Sequence, residues 1–96
     1  MMVQYIDHTG SVIVLTNEAT AHILTRHREM AGEMHKIASV LLEPDRVLPD
    51  SRFAGTYRYY RAFDSMAMGR KFICVVVKKL PNEAFVKTAF LTGRIR

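Results

Sequence analysis

The stretch HILTRHREM, residues 22–30, brings His22, Arg26, His27 and Arg28 within about two helical turns of one another. Imidazole exchanges protons near neutral pH, and guanidinium grips phosphate with several donors at once. Guanidinium recurs in TYRYYRAF, residues 56–63, as Arg58 and Arg61. A hydroxyl, Thr88, lies between Val86 and Phe90 in EAFVKTAFLT, residues 83–92. Such a set can cleave RNA without a metal. A histidine moves the proton of the 2'-hydroxyl or of the leaving oxygen, and an arginine stabilises the charge that grows on the phosphate.

Other chemistries fit less well. His22 and His27 are five residues apart, not the i, i+4 spacing of a helical zinc pair. The carboxylates are scattered, with no cluster for magnesium, and there is neither a glycine-rich phosphate loop nor a GxSxG elbow. The single cysteine, Cys74, sits inside the apolar run FICVVV. It excludes an intrachain disulfide and a cysteine-rich zinc site, and in such surroundings it is a poor nucleophile. No cofactor is expected.

These residues need elements to position them. VQYIDHTGSVIVL alternates and is rich in β-branched residues, so it predicts a strand, a tight turn at Thr9-Gly10 and a second strand. Thr16 or Asn17 then caps a helix that runs to about Met30 and ends at Gly32. EMHKIASVLLE forms a second helix, with Met34, Ile37, Ala38, Leu41 and Leu42 on one face, and Pro44 stops it. Four strands follow: RVLP, TYRYYRAF, KFICVVVKK and EAFVKTAFLT, with DSMAMGR and LPNE as the last two turns. KFICVVVKK is apolar at both parities, which predicts a central strand covered on both faces. The expected fold is α+β: an N-terminal β-hairpin, two helices, then a four-stranded antiparallel meander with the helices on one face.

At 96 residues the chain is expected to be a single domain, residues 1–96. Hydrophobic content of 49% supports one modest core, and a charged fraction of 24% argues against disorder. No secretory leader is expected at the start, and FICVVV is too short to span a bilayer. A cytoplasmic protein without membrane contact follows from this reading. The formal charge of +5 is spread along the chain, which favours a folded basic surface and a phosphate-rich partner.

Polar residues interrupt the apolar faces. His27 falls within the stripe marked by Ala19, Ile23, Met30 and Ala31, while His22 and Arg26 lie at its edge. Arg61 shares a strand face with Tyr57, Tyr59 and Phe63, and Thr88 shares one with Val86 and Phe90. A buried charge without a partner is costly. His27, Arg61 and Thr88 are therefore expected to converge at the boundary of helices and sheet. His8 and His35 are expected to be solvated.

HILTRH, LLEPDRV, YRYYR and VKTAFLT, spanning about residues 17–92, resemble the phage-associated nuclease domains of the barnase, EndoU, colicin and RelE-like superfamily. The N-terminal hairpin is less typical of that pattern. The resemblance implies metal-independent endoribonuclease activity. By it, His22, His27, Arg61 and Thr88 occupy the catalytic places. Arg26 and Arg58 are expected to bind phosphate, RNA is the expected partner, and a protein inhibitor or antitoxin is an expected second one. Two other readings stay open. One is a non-catalytic nucleic-acid-binding module in which the tyrosines of YRYYR stack bases. The other is an interaction module that pairs a sheet edge with another chain.

Overall fold

A computed structural model of the chain describes residues 2–64 and 69–95. Met1, Arg96 and residues 65–68, the last being the middle of the turn expected over DSMAMGR, lie outside the described residues. The elements follow in the order β1 (Val3–Ile6), β2 (Val12–Leu15), α1 (Asn17–Arg26), α2 (Ile37–Leu42), β3 (Arg46–Pro49), β4 (Thr56–Phe63), β5 (Lys71–Leu80) and β6 (Glu83–Thr92). The class is α+β. The hairpin does not stand apart from the later strands: β2 pairs in parallel with β6 at Val14 and Phe85, so all strands join one six-stranded mixed sheet in the order β1-β2-β6-β5-β4-β3.

Both helices are shorter than their apolar periodicity predicts. Thr16 caps α1, its hydroxyl accepting from the Ala19 N–H at 3.1 Å. The helix ends at Arg26 because His27 leaves helical geometry, with φ −129° and ψ 71°. A 3₁₀ turn over Arg28–Met30 follows, another over Met34–Lys36 precedes α2, and Pro44 lies just beyond that helix. A short apolar-periodic stretch is equally compatible with broken turns, since helices of this length draw their stability from packing rather than from propensity.

One core joins the layers. Ile23 of α1, Met30, and Ile37, Val40 and Leu41 of α2 pack on Ile13, Leu15, Tyr59, Ile73, Val75, Val77, Val86 and Ala89 of the sheet. β5 lies between β4 and β6. Its odd-numbered residues Ile73, Val75 and Val77 meet the helices. Among the described residues no helix covers the side that carries Cys74 and Val76, so the expectation of cover on both faces is corrected. Cys74 is nevertheless fully buried, between Tyr60 and Phe90 on the neighbouring strands.

The loop joining β1 and β2 is a five-residue connection, because Ile6 pairs with Val12, and it is built around Asp7. The Asp7 carboxylate accepts from the Thr9 N–H at 2.9 Å, the Thr9 hydroxyl at 2.7 Å, the Ser11 N–H at 3.0 Å and the Tyr59 hydroxyl at 2.7 Å. Gly10, at φ +87°, takes the left-handed position that this turn needs. Burial alone would raise the Asp7 carboxyl, but the hydrogen bonds from Tyr59, Thr9 and Ser11 outweigh it and bring it down to about 2. Burial, and then the Asp7 carboxylate, push the Tyr59 phenol above its ordinary value.

Candidate functional site

β6 contains a bulge. Val76 pairs with Thr88, but the next residue of β5, Val77, pairs with Val86, so Lys87 is the extra residue. One inserted residue inverts the alternation of side chains. Ala84 and Val86 before it, and Ala89 and Leu91 after it, therefore all belong to the helix-covered side. Thr88, Phe90 and Thr92 are turned to the open side. The expected shared face of Val86, Thr88 and Phe90 is corrected for this reason.

The open side can be read row by row across β4, β5 and β6. Arg58, Val76 and Thr88 form one row, and Tyr60, Cys74 and Phe90 form the next. Arg58 and Thr88 thus flank Val76, two strand spacings or roughly 10 Å apart. With the segment after β3 they line a concave cavity of about 520 Å³, whose walls include Asp50, Arg52, Phe53, Thr56, Lys87 and Thr92. The charged residues in that wall are the cations Arg52, Arg58 and Lys87 and the carboxylate Asp50. The Arg52 backbone N–H, and then its guanidinium, hold Asp50 below the ordinary carboxylate range.

Three buried polar atoms mark this cavity. Thr56 Oγ1, Arg58 Nε and Thr88 Oγ1 have no hydrogen-bond partner, and among the described residues they are the buried side-chain polar atoms in that condition. All belong to residues lining the cavity. An unsatisfied buried donor or acceptor costs about 1–3 kcal/mol, so each of these groups calls for a partner. Beneath them, Tyr60 hydrogen-bonds the Cys74 thiol, but burial is the larger effect and pushes that thiol up to about 12. This removes Cys74 from nucleophilic chemistry.

The expected site residues divide. Arg58 and Thr88 share the cavity. His27, expected inside the apolar stripe, is the C-cap residue of α1, with its side chain 32% exposed. Its ring lies 5.5 Å from that of Phe90, which lines the cavity, and 6.3 Å from the exposed His22 ring in an edge-on contact. Phe90 thus joins the histidine pair to the cavity border. Arg26 is exposed on the last turn of α1. Arg61 is elsewhere. It shares the helix-side face of β4 with Tyr59, and there its guanidinium donates to the Glu43 carbonyl and stands 5.9 Å over the Phe63 ring. The convergence expected of His27, Arg61 and Thr88 is therefore corrected: Arg61 and Thr88 are on opposite sides of the sheet. His8 and His35 are exposed.

Thr56, Arg52, Phe53 and Lys87 were not singled out by the sequence. A signal existed for Thr56: in TYRYYRAF, Thr56, Arg58 and Tyr60 form the alternation opposite Tyr57 and Tyr59. Arg52, Phe53 and Lys87 carry no such signal, because a loop and a bulge position them. Among the described residues, no three His, Cys, Asp or Glu side chains gather so as to hold a metal ion, and no helix is long and apolar enough to cross a membrane. No family model, curated protein or solved structure matches the chain.

Proposed function

We propose that the open side of the sheet binds RNA and cleaves it without a metal, as the resemblance to the barnase, EndoU, colicin and RelE-like nucleases implies. The observation that carries this reading is the set of unpartnered buried atoms on Thr56, Arg58 and Thr88 around one cation-lined cavity. A phosphate brings acceptor oxygens for the guanidinium and acceptors for the hydroxyls. A guanidinium contact to phosphate is charge-assisted and about twice as strong as a neutral hydrogen bond.

In this mechanism Arg58 holds the non-bridging phosphate oxygens, in the role first expected of Arg61, and Thr88 orients the phosphate. The 2'-oxygen attacks phosphorus, the bond from phosphorus to the 5'-oxygen breaks, and a 2',3'-cyclic phosphate remains. The 2'-hydroxyl proton passes to a base, and the leaving 5'-oxygen takes one from an acid. His27, with His22 against it, supplies an imidazole for one of these transfers. As a toxin-like or phage-derived effector, the protein would act in the cytoplasm and be restrained by a protein inhibitor.

The second reading is a non-catalytic RNA-binding module. The observation favouring it is that His27 stands behind Phe90 rather than in the cavity lining. Incubation of purified protein with total tRNA and rRNA in EDTA, followed by analysis of fragment ends, separates the two. Cyclic phosphate ends produced by wild type and not by Arg58→Ala support the nuclease. Intact RNA that is still bound, with binding lost in Arg58→Ala, supports the module.

A further inference from the structure

We propose that Phe53 is a stacking platform for the nucleobase next to the bound phosphate, so that the site takes single-stranded RNA in preference to duplex. This rests on the reading of the cavity as an RNA site and adds the form of RNA that it accepts.

Phe53 is 51% exposed, and among the exposed large apolar residues described it is the aromatic one. It lies at the cavity border. An exposed ring on a loose loop would have little use, but this loop is tied down. The Asp50 N–H donates to the Thr56 carbonyl at 2.8 Å, and the Thr56 N–H donates to the Phe53 carbonyl at 3.2 Å. The Arg52 N–H donates to the Asp50 carboxylate at 2.8 Å. Lys78 Nζ reaches the Ala54 carbonyl at 2.6 Å, and the Lys79 N–H donates to the Gly55 carbonyl at 2.7 Å. The backbone that carries the ring is therefore tied down before any ligand arrives, which lowers the ordering cost of binding.

Two cations stand against it. The Arg52 guanidinium carbon is 5.5 Å and Lys87 Nζ 4.9 Å from the ring centroid. An exposed cation–π contact contributes about 0.5–1 kcal/mol, whereas a base stacked on an aromatic side chain contributes about 1–3 kcal/mol. A base can therefore displace one cation from the ring and leave it beside the flanking phosphates. Duplex bases are already stacked and paired, and only splayed single-stranded bases offer a free face.

The test is fluorescence anisotropy with a short 2'-O-methyl RNA, which lacks the attacking hydroxyl, alongside its abasic counterpart and its duplex. Phe53→Ala is expected to weaken binding of the base-bearing strand by roughly 5- to 100-fold and that of the abasic strand by less than about two-fold. Phe53→Trp is expected to retain affinity, and wild type to bind the single strand more tightly than the duplex. Equal loss on base-bearing and abasic strands, no loss on either, or tighter duplex binding overturns the proposal. Arg58→Ala separates the two levels. If it loses both strands while Phe53→Ala loses neither, the cavity reading stands and the platform falls. If Arg58→Ala binds both strands as wild type does, both fall.

Discussion

Val86 and Thr88 are two residues apart in β6, yet Val86 is in the core and Thr88 lines the cavity on the other side of the sheet. Lys87 bulges between them. That inserted residue puts a hydroxyl in the same row as Arg58 and Phe90 in the same row as Cys74.

The two arginines of β4 should behave differently. Arg58→Ala is expected to lower RNA cleavage by about 10²–10³, the usual cost of losing one donor aimed at developing charge. Arg61→Ala should leave kcat/KM within a few-fold, since Arg61 is engaged with Glu43 on the helix side. Steady-state kinetics on a short labelled RNA decides between them. Equal losses in the two variants would remove the reason for placing the phosphate on the open side.

His27→Ala is expected to reduce cleavage by about 10²–10⁴ while largely sparing RNA affinity, because a proton-transfer group is lost and the cationic surface is kept. His22→Ala should have a smaller effect, as His22 contacts His27 and not Phe90. Undiminished cleavage by both variants, or activity that strictly needs magnesium, would show the mechanism to be wrong.

Asp7 should set the acid limit of stability. Its carboxyl falls from 3.8 to about 2 on folding. A lowered acid pKa contributes stability above the unfolded value and loses it as pH falls through the folded one. The contribution, about 2 kcal/mol, is thus complete above about pH 4 and gone near pH 2. Urea unfolding of wild type and Asp7→Asn across that range should show a gap that is widest at neutral pH and closes on acidification. A gap independent of pH would assign the role of Asp7 to packing alone.

Gly55→Ala should destabilise the protein by at least about 1–2 kcal/mol. Gly55 has φ +75°, and a Cβ there would lie 2.9 Å from the Lys79 carbonyl oxygen, a backbone atom with little freedom to retreat. Chemical denaturation measures the loss. Gly10→Ala is the comparison: its φ is also positive, but nothing stands within 4 Å of the added carbon, so it should cost less.

Local rules were enough for much of the molecule. The α+β class, a cap at Thr16 or Asn17 and the central position of the FICVVV strand all follow from residue type, period and flanking turns. Those are properties of neighbours along the chain. What the chain order could not decide was parity and termination. A bulge at Lys87 has no reliable mark in sequence, yet it reverses every later residue of β6 and makes Thr88 and Phe90 open-side residues. The end of α1 at Arg26 was not legible either, since the apolar spacing continues to Met30 while the backbone leaves helical geometry at His27. Arg61 shows the limit most directly. It and Arg58 are three residues apart with the same chemistry, and the alternation of one strand sends one to the Glu43 carbonyl and the other to the cavity. A sequence shows which groups are available, but which side of a sheet each one faces depends on pairings made between strands, and those exist only in the folded chain.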